Sequence, residues 1–382
     1  MAELRRWQES ALQAWRKAGD RGIASVVTGG GKTIFALACA KAIQPITVLV
    51  VVPTQALLDQ WWEEVSCYFD LDLDEVHVIT GRRKIRSGTF NLAVLNTAAS
   101  LGRKASIDHL LLIVDECHKA ASEKYRSVFQ VRRSATLGLS ATPARQYDKG
   151  LDDVLIPEIG PIIYEYTYKQ ALADGVIVPF RLVNVIFDLE PECREQFEKL
   201  TRSIAISVRR YGDDAPETVA LLLKRARTVN LSLSRIELAA RIVAMHPGRR
   251  AIVFHEDIAA CEVLKEVMSS IGISCEVYHS GKGVRERAMI LSAFRTGKFD
   301  VLVTCRALDE GFNVPEAELG VIAASTATQR QRIQRLGRLV RPSPGKESAV
   351  IYTLAATNSE ILRLQQEEEG LRDVASIEWG KA

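Results

Sequence analysis

Residues 109–122, HLLLIVDECHKAAS, set two acids, a cysteine and a histidine side by side at the end of an apolar run. Asp115-Glu116-Cys117-His118 could ligate a metal, pair a thiol nucleophile with a base, or serve another chemistry through its two carboxylates. Four neighbours seldom act together as ligands, because successive side chains on an extended chain point to opposite faces. No base is evident for Cys117 as a nucleophile, and Cys117 with His118 lacks other ligands at usable spacing for a metal. Both readings stay open as minor alternatives until the rest of the chain is considered.

The second chemical stretch is IASVVTGGGKTIFALACAKA, a strand pattern, a glycine run ending in Lys-Thr, then a helix pattern. Gly29, Gly30 and Gly31 allow backbone N–H groups to converge on phosphates at a helix N-terminus, where the dipole favours an anion. Lys32 is expected to reach the terminal phosphates and Thr33 to hold Mg²⁺. The full pattern has another glycine six residues before the lysine, and Val26 stands there. A glycine-rich turn with a solvated lysine is the bland alternative. Downstream of such a loop, an apolar strand ending in acids has the layout of a Walker B strand. Asp115 would hold magnesium through water, and Glu116 would orient and deprotonate the attacking water. His118 would relay the nucleotide state, and Cys117 needs no chemistry.

These groups need strands to carry them. Short apolar runs recur between helical segments: IASVV, ITVLVVV, VHVI, NLAVL, LLLIV and TLGLS, then after about residue 232 RAIVF, ISCEVY, FDVLVT, LGVIAAS and SAVIYTL. Runs apolar on both faces are expected inside parallel sheets with helices on either side. The expected fold class is therefore α/β, with two parallel-sheet domains in tandem and a helical insertion between them. The boundaries are 1–175 for the first domain, 176–231 for a connector with the insertion, 232–357 for the second domain, and 358–382 for a helical tail.

Composition bounds the partners. Of 382 residues, 47% are hydrophobic and 25% charged, with a net charge of +3, the balance of an ordinary globular protein that neither demands nor excludes nucleic acid. Seven scattered cysteines without a Cys-x-x-Cys pair argue against a zinc ribbon. No apolar run approaches the roughly 20 residues of a membrane span. A cytoplasmic, monomeric protein with no membrane partner is the expectation.

The chain also resembles the superfamily 2 helicases, over nearly its whole length and with the motifs in order. LRRWQ looks like the adenine-reading Q motif, DECH is a variant of the DEAH box, and VVPTQALLDQWW and LSATP resemble motifs Ia and III. CRALDEGFNVP resembles motif V, and QRQRIQRLGRLVRP, the most specific signal, resembles motif VI. The resemblance implies two RecA-like domains, ATP and Mg²⁺ as cofactors, and further site residues. Gln8 would read the base, since an amide both donates and accepts, with Arg5 alongside and Gly311 and Asn313 also on the nucleotide. Arg338 and Arg341 would be arginine fingers, Gln334 would lie near the attacking water, and Arg335 would support the interface. Ser140 and Thr142 would couple to His118. Thr54, Gly81, Thr97, Ser280, Gly281 and Thr304 would contact nucleic acid, though any one threonine could equally be a helix cap.

Asn313 stands where the family usually has aspartate, and the usual proline of motif I is missing. The XPB-like branch is the most similar, but its Arg-Glu-Asp element corresponds at best to Arg145-Gln146-Tyr147. What the resemblance implies is an ATP-dependent helicase or translocase on duplex or branched DNA, with DNA favoured over RNA and an accessory protein possible. An RNA-dependent ATPase and a nucleotide-switched binding module are the alternatives. Arg202, Arg209, Arg210, Lys224, Arg225 and Arg227 in the helical insertion would either brace nucleic acid or be solvated faces of two amphipathic helices.

Overall fold

Runs of Val, Ile and Leu without polar alternation bury both faces of a strand, and that requirement organises the chain into two layered sheets. The computed structural model describes residues 3–43, 47–72, 75–81, 84–101, 109–143, 150–305, 314, 317–324, 337, 339–368 and 371–382. The chain divides into two units, the first running to Val176 and the second beginning at Ile177.

In the first unit, β1 (Arg21–Val26), β2 (Thr47–Val52), β3 (Val76–Val78), β4 (Phe90–Val94), β5 (Leu110–Asp115), β6 (Ala135–Ser140) and β7 (Ile162–Tyr166) form one parallel sheet. Its order is β3-β4-β2-β5-β6-β1-β7. The helices are α1 (Arg6–Lys17), α2 (Lys32–Ala42), α3 (Gln55–Phe69), α4 (Leu95–Leu101), the short α5 (Ile156–Glu158) and α6 (Tyr168–Ala173). Every residue of β2, β5 and β6 is buried. The indole N–H of Trp15 donates to the Thr136 carbonyl at 2.9 Å and ties α1 to β6.

The second unit contains β8 (Phe180–Ile186), β9 (Ala251–His255), β10 (Cys275–Tyr278), β11 (Val301–Cys305), β12 (Leu319–Ile322), β13 (Ala349–Ala355) and β14 (Ala375–Lys381), again all parallel. The order β10-β11-β9-β12-β13-β8-β14 repeats that of the first sheet strand for strand. Its helices are α7 (Pro191–Tyr211), α8 (Pro216–Asn230), α9 (Leu233–Ala244), α10 (Ile258–Ser270), α11 (Val284–Arg295) and α12 (Asn358–Glu368).

Two boundaries differ from expectation. The 176–231 stretch holds a strand, β8, which belongs to the second sheet, so the helical pair α7–α8 lies between β8 and β9 of that sheet. FRLVNVI is interrupted by Arg181 and Asn184 and lacks the continuous apolar run that marks its neighbours. The expected helical tail is helical only as α12 and ends in β14, an edge strand with mostly exposed residues. Burial on one face is too slight there to leave a sequence pattern.

Candidate active site

Parallel strands present their carboxyl ends on one edge, where the loops that follow them can carry a site. Three such loops meet in the first unit, after β1, β5 and β6, which are neighbours in the sheet. The loop after β1 carries the glycine run. Gly29 and Gly31 take left-handed φ values of 86° and 97°, conformations open to glycine at no steric cost. A Cβ on Gly30 would come within 2.7 Å of Val26 Cγ1, so each of the three glycines has a physical reason. Val26 itself is the last residue of β1, buried against this turn. Helix α2 then begins at Lys32.

β5 ends on Asp115, and the chain reverses at Glu116, which is left-handed at φ 49°, ψ 49°. A non-glycine residue held there is costly, about 1–3 kcal/mol, and such residues cluster at functional sites. The reversal is what lets adjacent residues of the tetrad act together. Glu116 Oε1 lies 3.3 Å from Lys32 Nζ, and its Oε2 lies 3.4 Å from His118 Nδ1. His118 Nδ1 also pairs with Ser140 Oγ at 3.0 Å, and Ser140 Oγ accepts from the Thr142 N–H at 3.1 Å. Lys32 and Glu116 keep 12% and 13% side-chain exposure, enough opening for a small ligand to reach them. Cys117 is buried, with its Sγ 3.2 Å from where a Cβ on Gly138 would stand, which fits a packing role and not a nucleophile's.

Asp115 is only 5% exposed. Burial pushes its carboxyl pKa up, Lys32 opposes that, and Glu116 adds to it. One carboxylate oxygen accepts from the Glu116 N–H and the other from the indole N–H of Trp61, both at 2.9 Å. Trp61 was not singled out by sequence reading. Its only signal was a place in the apolar seam of the helix after β2.

The N-terminal segment closes on the same loop. Gln8 Nε2 donates to the Gly31 carbonyl at 3.0 Å, its Oε1 accepts from the Arg5 N–H, and Arg5 Nη1 reaches the Gly30 carbonyl at 3.4 Å. Trp7, stacked on Tyr166 with centroids 4.8 Å apart, holds this end of α1 in place. The Gln8 amide is buried and half engaged, leaving one N–H and one lone pair for another partner.

A magnesium triphosphate fits this edge on three counts. The glycine cradle has no room for side chains at Gly30, Thr28 Oγ1 is buried without a hydrogen-bond partner, and the donor set is hard oxygen, Asp115 with the half-buried hydroxyl of Thr33. Mg²⁺ prefers such a set, with one or two carboxylates and phosphate oxygens completing it. Among the described residues no cluster of three or more His, Cys, Asp or Glu could hold a metal alone.

The other expected residues are scattered in character. Thr54 caps α3, its hydroxyl accepting from the Leu57 N–H at 3.4 Å, and Thr97 lies half-buried on α4. Gly81 is exposed with φ 59°, and Ser280 and Gly281 are exposed after β10, with the Gly281 N–H donating to His279 Nδ1. Thr304 lies in β11 and is buried. Arg341 is half-buried in the second unit, after Leu339, which packs so closely on Gly320 of β12 that a Cβ has no room. Gly311, Asn313, Gln334, Arg335, Arg338 and the Arg145-Gln146-Tyr147 element lie outside the described residues. In the helical pair, Arg225 packs over the Phe197 ring and Arg227 pairs with Asp257 at 3.3 Å, while Arg202 and Arg209 are exposed.

Known proteins are similar to this chain in sequence and in fold. Residues 1–145 match the family described as "Type III restriction enzyme, res subunit", and residues 234–343 match the "Helicase conserved C-terminal domain". The "DNA 3'-5' translocase XPB2" of Sulfurisphaera tokodaii is 31% identical over 373 residues, covering 91% of this chain and 81% of that protein. The "DNA 3'-5' helicase XPB" of Mycobacterium tuberculosis is 28% identical over 366 residues, covering 94% of this chain but only 61% of that protein. The solved structure of "S. cerevisiae Dbp5 bound to RNA and ADP BeF3" aligns with a TM-score of 0.65 and 15% identity, over 98% of this chain and 89% of that one, a likeness of fold. The chain belongs to the superfamily 2 helicases, in their XPB-like branch. No helix among the described residues is long and apolar enough to cross a membrane.

Proposed function

We propose that this protein is a cytoplasmic, monomeric ATP-dependent DNA helicase or translocase that moves 3′ to 5′ on duplex or branched DNA. DNA and polarity follow its relatives' names. The hydrolytic reading rests on one observation: the Lys32–Glu116 ion pair beside buried Asp115 and the His118–Ser140 contact, all at one sheet edge. Lys32 takes the terminal phosphates of ATP as its new counter-ion and so releases Glu116. The freed carboxylate then orients the attacking water and accepts its proton, a role typically contributing about 10²–10⁴ in rate. Asp115 and Thr33 would hold Mg²⁺, which when bound would supply positive charge beside the phosphates. Gln8 and Arg5 hold the adenine side, with Gly311 and Asn313 on the sugar.

Arg338 and Arg341 supply fixed positive charge for the transition state, with Gln334 at the water and Arg335 as support. His118, Ser140 and Thr142 report the state of the phosphates. Thr54, Gly81, Thr97, Ser280 and Gly281 grip strand phosphates, contacts that position nucleic acid without reading it. ATP and its products make different contacts, and that difference is what shifts the protein between states and yields a step. An accessory protein adds processivity.

The test is displacement of a labelled strand from a fork, and of a triplex-forming strand from duplex DNA, with ATP or a non-hydrolysable analogue. ATP-dependent displacement of either is the expected result. ATP turnover driven by RNA and not by DNA would overturn the substrate assignment.

A further inference from the structure

A tryptophan stands against the carboxylate of Asp115. Trp61 is wholly buried, and its indole N–H donates to Asp115 Oδ2 at 2.9 Å. The other oxygen is held by the Glu116 amide at 2.9 Å, a bond within the turn that orients one edge of the group only. Among the described residues, Trp61 therefore supplies the side-chain hydrogen bond that restrains this carboxylate, and it comes from 54 residues away, on another element. Each oxygen retains lone-pair capacity for a water or a cation, so the grip orients the group without consuming it.

That element is α3. Leu58, Trp61 and Val65 form its buried seam, spaced three and four residues apart, so the ring is locked in place by packing. Two helical turns before Trp61, at the N-cap of the same helix, stands half-exposed Thr54, whose hydroxyl accepts from the Leu57 N–H across a long 3.4 Å. A phosphate oxygen arriving at Thr54 would compete for that weak cap bond and for the neighbouring helix N–H groups. α3 runs unbroken for 15 residues from Gln55 to Phe69, so its N-terminal end and the indole belong to one element.

We infer that Trp61 is a positioning residue that orients Asp115 for magnesium, and that α3 links occupancy of the Thr54 end by a DNA strand to that carboxylate. The inference rests on the proposed roles of Asp115 and Thr54. It makes DNA a partner in metal binding: a strand on α3 tunes how well the carboxylate holds its cation, which is one physical route to DNA-stimulated turnover. By linkage, metal and nucleotide at Asp115 must in turn change affinity for the strand.

The experiment measures binding of a non-hydrolysable ATP analogue as a function of Mg²⁺, with and without duplex DNA. The wild type is compared with Trp61→Phe and with a protein carrying β-(3-benzothienyl)alanine at position 61. The latter keeps the shape of the bicycle and lacks the N–H, so it remains informative if the phenylalanine variant folds poorly. Both should need about ten- to hundredfold more Mg²⁺ for half-maximal nucleotide binding, the usual cost of losing a partner behind a metal ligand. Affinity for the analogue in EDTA should be unchanged, and duplex DNA should lower the Mg²⁺ requirement of the wild type alone. An unchanged Mg²⁺ requirement in the benzothienyl protein overturns the inference while leaving the ATP site standing. A wild type that binds no nucleotide at all overturns the ATP site, and the inference with it.

Discussion

The same seven-strand order builds both domains, yet the first turn of the helix that leads into the second strand is used in opposite ways. In the first domain that helix is α2, and its opening residue, Lys32, stands behind a glycine loop with a glutamate as partner at 3.3 Å. In the second it is α9, and its third residue, Arg235, is wholly buried. Arg235 donates to Glu360 at 2.7 Å and to the carbonyls of Val229 and Leu354. Glu360 in turn accepts from the Ala356 and Thr357 N–H groups. Where the first domain has a short glycine loop between strand and helix, the second has the α7–α8 pair. One cation is left loosely neutralised and reachable, the other is sealed with a hydrogen bond from each of its three nitrogens. A fold can thus keep a charge at one position for ligand or for stability, and exposure with partner count tells which.

Breaking the comparison on the reactive side should give the larger effects. Arg341→Ala is expected to lower turnover about 10³–10⁵-fold, the range for arginine fingers, with little loss of ATP affinity. Paired kcat and nucleotide-binding measurements check this, and equal losses in both would make Arg341 a binding residue. Glu116→Gln should retain ATP binding and lose about 10²–10⁴ in turnover; normal single-turnover hydrolysis would remove Glu116 from the role of base.

On the sealed side, Arg235→Ala leaves Glu360 buried and unpaired. Denaturant unfolding should show a loss of about 3–5 kcal/mol in the second domain. ATP affinity of the native protein should be untouched, and a stability change near zero would contradict the account of this ion pair.

The smallest effect sharpens the picture of how α9 is held. Glu190 accepts hydrogen bonds from Ser232 Oγ and from the Leu233 and Ser234 N–H groups at the start of α9. Burial would raise its pKa, but these bonds outweigh it and hold the carboxyl at about 2, against the ordinary 4.5. The folded pKa is depressed, so its stabilisation is present above about 4.5 and is lost as pH falls towards 2. Acid unfolding of Glu190→Gln should show a shallower decline across that window than the wild type, and parallel curves would reject the assignment.

Much of this was legible in the residues themselves. The runs TVLVVV, LLLIVD and ATLGLS announced strands because both faces are covered. The glycine-lysine-threonine loop announced a phosphate cradle because few other uses require three consecutive glycines before a helix. The illegible parts share a cause, which is that their signal lies in tertiary context. β8 and β14 sit at one side of the second sheet and bury too little to show a run, so neither the start nor the last strand of the second domain stands out in the residues. The left-handed turn at Glu116 has no glycine or asparagine to advertise it. The Trp61–Asp115 bond joins residues from two separate elements, and no spacing rule links them.

The central claim is that the Lys32 loop of the first domain hydrolyses ATP when DNA is engaged. Steady-state ATP turnover of the wild type and Lys32→Ala, each without nucleic acid and with single-stranded DNA, duplex DNA or RNA, tests it most directly. The account predicts turnover that DNA stimulates in the wild type and that falls to background in the variant on every substrate. A Lys32→Ala protein that hydrolyses ATP at the wild-type rate in the presence of DNA would contradict it.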